Sequence, residues 1–319
     1  MTTPEKADRS VVKVRSCTPA ADGIRVIELE HPEGHRLPPW TPGAHIDLIL
    51  PNGQTRQYSL CGDRYDAYRY RIGVLREPAS RGGSEWIHEQ LTPGHILGFG
   101  GPRNHFPLVP SASYLFIAGG IGITPLLPML RQADQLGADW RLLYGGRTLA
   151  SMAFRDELNR YGARIHIAPQ DEHGLLNLTG FIGRPRTDTQ IYGCGPAPLL
   201  EALAKACADW PPHTLRTERF AAQDLTAPRH TGPFTVRLNR RGQTLTVRPD
   251  ESVLDVVRQA GVEMLSSCGQ GVCGTCEATV LDGVPDHRDA VLDDTDRARN
   301  DCMMLCVSRS CTAQLVLDL

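Results

Sequence analysis

Nine residues constrain this chain more than any others: Cys268-Gly269-Gln270-Gly271-Val272-Cys273-Gly274-Thr275-Cys276. Three thiols at C-x4-C-x2-C spacing are the three-ligand run of a plant-type 2Fe–2S cluster, whose fourth thiolate comes from further along the chain. Such a loop must wrap a small cluster, aim several sulfurs at it and let backbone N–H groups reach them. Gly269, Gly271 and Gly274 permit that approach and the positive φ values it needs. Cys302, Cys306 and Cys311 compete for the fourth position. Cys306 is preferred, because Met303-Met304-Leu305-Cys306-Val307 is an apolar run in which a strand would keep one thiolate dry. Other uses of the cysteines fit less well. Zinc sites usually bring C-x2-C pairs twice, and here there is one. A disulfide framework suits a small secreted chain, whereas this one has 319 residues and opens on the short polar stretch Met1-Thr2-Thr3-Pro4-Glu5-Lys6, without a signal core. The motif predicts one-electron chemistry, so the rest of the chain must supply electrons.

The length accommodates two or three domains. With 22% charged residues and a net charge of −2, no strong attraction to nucleic acid or anionic membrane is expected. The most apolar run, 114–130, is interrupted by Gly119, Gly120, Gly122, Pro125 and Pro128 and is too short for a comfortable membrane span. Ten cysteines, four of them assigned to the cluster, fit a reducing compartment, with Cys17, Cys61, Cys194 and Cys207 as free thiols. The expectation is a cytoplasmic monomer that engages neither nucleic acid nor membrane.

Residues 1–108 read as an antiparallel β-barrel. Short β-branched or aromatic runs at 11–16, 24–30, 45–50, 56–60 and 68–76 are separated by Pro, Gly and Asp clusters. Two stretches carry chemistry. In Arg56-Gln57-Tyr58-Ser59, a guanidinium suited to phosphate and an aromatic face lie two residues apart, on one side of a strand. In Arg81-Gly82-Gly83-Ser84, glycines open a helical-looking segment at 85–91, where backbone N–H groups attract an anion. Taken singly, these are a surface charge, a barrel aromatic and a turn. Together they suggest a site for a flavin's phosphate and ring.

Residues 109–225 change to strand–helix alternation, which means a parallel sheet. The buried-strand run 114–118 leads into Gly119-Gly120-Ile121-Gly122-Ile123-Thr124-Pro125 and a helix over 126–136. Strands follow at 141–144, 164–168, 190–192 and 214–217, with helices at 154–161 and 197–208. The glycine loop, and Gly193-Cys194-Gly195-Pro196 after a later strand, would share the carboxyl edge of the sheet, where an open α/β sheet binds its ligand. Between them they would hold a nicotinamide dinucleotide. Arg147, after Tyr144-Gly145-Gly146, stands where an adenosine ribose is usually met, and no basic cluster accompanies it, which favours NADH over NADPH.

A polar stretch at 221–233, with Pro228, Gly232 and Pro233, reads as a linker, the domain boundary itself being drawn at 226–233. Residues 234–319 follow as a hairpin, a helix capped by Ser252, the cysteine loop, and strands at 277–281 and 313–317. That order describes an α+β domain of the β-grasp ferredoxin kind.

Barrel, nucleotide domain and ferredoxin in this order resemble the phthalate dioxygenase reductase family, including vanillate demethylase reductase components. The resemblance covers essentially the whole chain. It rests on Arg56-x-Tyr58-Ser59, Arg81-Gly82-Gly83-Ser84, Gly119 to Pro125, Cys194-Gly195-Pro196, the cysteine run, Asp286-His287-Arg288-Asp289 and Cys306-Val307-Ser308-Arg309. It implies FMN, oxidation of NADH, and delivery of electrons through the 2Fe–2S cluster to a Rieske-type oxygenase acting on an aromatic compound. Arg56 and Ser84 would hold the FMN phosphate, and Tyr58 and Ser59 would line the ring, with Gln57, Gly73, Val74, Arg81, Gly82 and Gly83 completing the flavin site. Gly119, Gly120, Gly122, Arg147, Cys194, Gly195 and Pro196 would hold the nucleotide. Thr124 would sit near the flavin N5, with Glu218 and Phe220 on the segment covering the other face; these three are the expected catalytic positions. Cys268, Cys273, Cys276 and Cys306 would hold the cluster. No aromatic for an adenine is evident, so FMN is preferred to FAD. A reductase for a haem monooxygenase, a general NADH:acceptor reductase and a non-enzymatic iron–sulfur sensor are the alternatives.

Overall fold

A computed structural model describes residues 10–78, 82–220, 228–292 and 294–319. The chain forms two compact units, Met1–Glu218 and Arg219–Leu319.

The first unit begins with β1 (Val11–Ala21), β2 (Ile24–Glu30), β3 (His45–Ile49), β4 (Thr55–Ser59), β5 (Arg69–Leu75), helix α1 (Gly83–Gln90) and β6 (Ile96–Arg103). The strands form one antiparallel sheet in the order β4-β3-β6-β1-β2-β5. A bridge between Leu60 and Ile72 joins its two edges, so the sheet closes into a barrel. Alternate residues point inward: Val12 and Val14, Ile27 and Leu29, Ile46 and Leu48, Ile72 and Val74 are all buried in one core. Strand β6 is absent from the sequence-based expectation because Gly98, Gly100, Gly101 and Pro102 read as a turn. Leu97 and Phe99 nevertheless fill the barrel core, and pairing with β1 and β3 holds the strand.

The same unit continues with β7 (Ser113–Gly119), α2 (Ile123–Gln135), β8 (Asp139–Gly146), α3 (Arg155–Leu158), β9 (Ile165–Pro169), α4 (Gln170–His173), α5 (Leu178–Ile182), β10 (Thr189–Cys194), α6 (Ala197–Ala206) and β11 (Leu215–Glu218). The five strands are parallel, in the order β11-β10-β7-β8-β9. Both faces are covered, so β7 is apolar throughout: Tyr114, Phe116 and Ala118 share a core with α2, and Leu115 and Ile117 share one with Leu203 of α6. The chain runs from β7 outward through β8 and β9, then returns to place β10 on the other side of β7. The expected helix over 154–161 is shorter than read. Phe154 is left-handed at φ 64, only Arg155–Leu158 is α-helical, and the tighter turns that follow break at Gly162.

The second unit contains β12 (Phe234–Leu238), β13 (Gln243–Val247), α7 (Val253–Gln259), β14 (Glu277–Asp282), β15 (Pro285–Asp286), α8 (Asp294–Arg299), β16 (Cys302–Met304), β17 (Arg309–Ser310) and β18 (Gln314–Leu317). Its main sheet runs β13-β12-β18-β14-β16. Ser252 caps α7 as expected, its hydroxyl accepting from the Asp255 N–H at 3.0 Å. The linker residues 221–227 lie outside the described residues. Among the described residues no helix is long and apolar enough to cross a membrane.

Candidate functional site

The order in which strands are added to the parallel sheet reverses between β7 and β10, whose carboxyl ends lie in register, Gly193 beside Ile117 and Cys194 beside Ala118. The loops beyond them pack directly on each other. A Cβ added to Gly122 would fall 2.2 Å from the Cys194 carbonyl oxygen, and one on Gly195 would fall 3.0 Å from the Gly119 Cα. The two glycine loops singled out in the sequence therefore form one surface, at the crevice where such sheets bind a ligand. Pro196 caps α6 beside them, and Gly120, at φ 54, turns the first loop. Arg147 follows β8 with its side chain exposed.

Thr124 lies at the head of α2, buried, its hydroxyl donating to the Ile121 carbonyl at 2.9 Å. Its methyl group faces the barrel. A Cβ on Gly73 of β5 would lie 2.9 Å from Thr124 Cγ2 and 3.3 Å from Phe154 Cζ, so glycine lets the strand come close. Val74 points the other way, into the barrel core. Glu218 ends β11 in register with Cys194. The residue is half-buried, but its carboxyl is turned inward, and Oε2 has no hydrogen-bond partner among the described residues. Burial pushes this carboxyl up to about 8. Burial, and then the Glu218 charge, holds the Cys194 thiol well above its ordinary value. Phe220, the second residue of the second unit, is 44% exposed.

At the barrel, Arg56 and the start of α1 come together. A Cβ on Gly83 would lie 2.4 Å from Arg56 Nε, and Gly82 is left-handed at φ 89. Arg56 is oriented by donating to the Thr55 carbonyl at 2.9 Å and to Gln54 Oε1. Ser84 is buried, its hydroxyl accepting from the Glu77 N–H at 3.1 Å. A guanidinium across a helix N-terminus opened by glycines is the donor set for a phosphate. Tyr58 shares the face of Arg56, and burial raises its hydroxyl above the ordinary value. Gln57 alternates to the other face and donates to Asp47 Oδ1 at 3.0 Å. Its side chain is therefore part of the barrel's polar network, which leaves its backbone for the flavin contact expected of it. Ser59 ends β4, buried. Arg81 lies outside the described residues.

In the second unit the cysteine loop is wound around its own sulfurs. The N–H groups of Gln270 and Val272 donate to Cys268 Sγ at 3.2 and 3.5 Å, and that of Thr275 to Cys273 Sγ at 3.4 Å. Gly269, Gly271 and Gly274 all have positive φ, between 62 and 73°. Hydrogen bonds from the Cys273 and Cys306 thiols, with those amides, hold Cys268 well below its ordinary value despite burial. Cys306 also lowers Cys276. Cys306 is thus the distant thiol brought to the loop. Cys302 is instead pushed up to about 12 by burial and by the neighbouring Glu277 and Asp301 charges, and the Cys311 thiol donates to the Pro285 carbonyl at 3.6 Å. One expectation changes: Cys306 lies not in a strand but in the turn after β16, where Val307 and Ser308 donate back to the Met304 carbonyl. Sulfurs already receiving backbone N–H groups, with the Cys306 thiol beside Cys268 and Cys276, fit an iron–sulfur cluster.

Asp286 and Asp289 are buried; Asp289 Oδ1 accepts from the N–H groups of Val291 and Leu292 at 2.9 and 2.8 Å. Gly271 packs against the Asp289 backbone, so the Asp286 to Asp289 motif supports the cysteine loop.

Residues 236–313 match the 2Fe-2S iron-sulfur cluster binding domain family, and residues 116–205 the oxidoreductase NAD-binding domain family. Phenoxybenzoate dioxygenase subunit beta of Ectopseudomonas oleovorans is 44% identical over 97% of both chains. The structure of phthalate dioxygenase reductase, described as modular for electron transfer from pyridine nucleotides to [2Fe-2S], is 37% identical, with a TM-score of 0.71 over 100% of both chains. The chain belongs to the phthalate dioxygenase reductase family. An intact type IV self-sufficient cytochrome P450 monooxygenase also contains a matching region: 41% identity and a TM-score of 0.92 over the whole of this chain, which spans 43% of that protein. This reductase is therefore an oxidoreductase whose cofactors are NADH, FMN and a 2Fe–2S cluster, built as a flavin barrel, a parallel-sheet nucleotide domain and a ferredoxin domain. Sequence reasoning missed Phe154, whose ring reaches Gly73 only because of a left-handed backbone that the residue type does not announce.

Proposed function

We propose that this reductase passes electrons from NADH to a Rieske-type non-haem iron oxygenase acting on an aromatic compound, working as a cytoplasmic monomer. FMN, when bound, would supply the conversion between two-electron hydride chemistry and the one-electron chemistry of an iron–sulfur cluster. The chain's own residues bind and orient. Arg56, Gly82, Gly83 and Ser84 are assigned to the phosphate, and Tyr58, Ser59 and the backbone of Gly73 and Val74 to the ring. Gly119, Gly120, Gly122, Cys194, Gly195 and Pro196 are assigned to the dinucleotide, with Arg147 at its adenosine end. Thr124, Glu218 and Phe220 border the reacting atoms, and Cys268, Cys273, Cys276 and Cys306 hold iron. The corresponding division is 1–108, 109–225, a linker at 226–233, and 234–319. One observation carries the reading: Thr124, on the glycine-loop surface, lies against Gly73 of the barrel, so nucleotide and flavin edges adjoin.

The test is a visible spectrum of the purified protein before and after anaerobic NADH, with the released flavin identified by chromatography, followed by reconstitution with a Rieske oxygenase. Bleaching of flavin and iron–sulfur bands, release of FMN, and NADH-driven turnover of the oxygenase are expected. A flavin that does not bleach would refute the electron path. A second reading has one specific support, the likeness to the reductase region of a self-sufficient haem monooxygenase. Turnover with a haem monooxygenase but with no Rieske partner would establish it instead.

A further inference from the structure

Three chain segments meet at Gly73, and the same three meet again beside it. At the first meeting β5 supplies Gly73, α2 supplies Thr124, and the residue before α3 is Phe154. At the second, the same segments supply Arg71, Arg131 and Glu157. Arg71 Nη1 and Nη2 donate to Glu157 Oε1 and Oε2 at 2.6 and 2.9 Å, and Arg131 Nη2 donates to Oε2 at 2.8 Å. Each guanidinium also grips the barrel chain after β4: Arg71 donates to the Cys61 carbonyl at 2.8 Å, and Arg131 to that of Gly62 at 2.7 Å.

The spacings match the elements. Arg71 and Gly73 are two apart on a strand and share a face. Thr124 and Arg131 are seven apart on a helix, two turns along one face. Phe154 precedes α3 and Glu157 lies on it, and the Arg71 guanidinium lies 5.4 Å from the Phe154 ring centroid. The ion pairs are partly buried, with side chains 21 to 34% exposed. Cavities of about 660 and 550 Å³ lie on either side, Arg71 lining both, with Arg131 in one and Glu157 in the other. Cys61 and Leu75 of the barrel share an apolar core with α2 and Phe154, and at the polar edge of that core these bonds tie the three segments together.

We propose that the Arg71–Glu157–Arg131 strut sets the gap between β5 and the head of α2, making Glu157 a positioning residue for hydride transfer. This rests on the reading above, in which Gly73 and Thr124 border flavin and nicotinamide. The strut does not touch the glycine loops, so its loss should alter how the rings face each other while leaving nucleotide binding in place. Hydride transfer is steeply sensitive to small misplacement of the reacting atoms.

The experiment uses the full-length, flavin- and cluster-loaded protein carrying Glu157→Ala, Glu157→Gln or Arg131→Met. Anaerobic stopped-flow measures flavin bleaching by NADH and by 4-deuterated NADH, and hydrogen exchange follows residues 71–75 and 121–126. Glu157→Ala should slow bleaching by about tenfold or more, enlarge the deuterium effect, keep the KM for NADH within about twofold, and speed exchange in both segments. Glu157→Gln should recover part of the rate. A wild-type rate and isotope effect in Glu157→Ala would overturn the proposal. If Glu157→Ala loses its flavin, Arg131→Met decides: slower bleaching with full flavin supports the strut, and an unchanged rate refutes it. Failure of wild-type protein to bleach would instead sink the underlying electron path.

Discussion

Replacing Gly122 by alanine tests whether the two glycine loops form one nucleotide surface. Gly122 has φ −61° and ψ −6°, ordinary helical values that alanine adopts freely. The obstacle is steric: the new Cβ would fall 2.2 Å from the Cys194 carbonyl oxygen, 2.5 Å from its carbon and 2.8 Å from the Gly195 nitrogen. All three are backbone atoms at the end of β10, so no side-chain rotation relieves the clash. Real Cβ contacts begin near 3.0 Å, so the loops must part by about 0.8 Å. Overpacking of this kind costs about 1–3 kcal/mol. For a unit of this size each kcal/mol lowers the melting temperature by about 2–4 °C. Because the parted loops are the ones that hold the dinucleotide, the KM for NADH should rise about tenfold, equivalent to about 1.4 kcal/mol of binding. Flavin content and the iron–sulfur spectrum should not change. Steady-state reduction of ferricyanide over a range of NADH concentrations measures the first effect, and a thermal melt the second. Gly137→Ala is the control: it meets no atom within 4 Å but has φ +69°, so it should cost about 1–2 kcal/mol of stability and leave the KM alone. A Gly122→Ala protein with a wild-type KM for NADH would refute the reasoning, however much its melting temperature fell.

Cys306→Ser should lose most of the iron–sulfur absorbance and iron content, while Cys302→Ser and Cys311→Ser retain both; a full cluster in Cys306→Ser would show that the fourth ligand is elsewhere. Glu218→Gln bears on pH dependence. The folded value of about 8 lies above the ordinary 4.5, so the folded state keeps a proton that the unfolded chain gives up. Wild-type stability should therefore fall as pH rises from about 4.5 to 8, by on the order of a few kcal/mol. The variant should lack that fall, and identical melting-temperature profiles for the two proteins would contradict it. Ser252→Ala removes the α7 cap and should destabilise the second unit by about 1 kcal/mol in urea melts, without altering flavin reduction by NADH.

What the sequence made legible is what depends on near neighbours along the chain. Val12 and Val14, or Ile46 and Leu48, declare a barrel face through their alternation, and the cysteine spacing declares its cluster within nine residues. The glycine loops were recognisable because each ends an apolar strand and opens a helix. Long-range features left no such trace. Arg71 and Glu157 are 86 residues apart, and nothing in either neighbourhood distinguishes them from surface charges. Strand β6 was hidden because its glycines and proline have the composition of a turn. The burial of Asp286 and Asp289 was not legible either, because burial, unlike charge, is decided by the fold around them.

The position of β18 bears on how the protein is made. This strand, Gln314–Leu317, lies at the centre of the second unit's sheet, parallel to β12 and antiparallel to β14. Synthesis delivers the cysteine loop to solvent before the strand that must slot between those two, whereas the first unit can already be folding. Iron arriving then would find thiols without a sheet beneath them. The cysteine loop should therefore hold iron only once β18 has been made and paired, and truncation before Gln314 would leave an intact first unit joined to a ferredoxin that cannot hold iron.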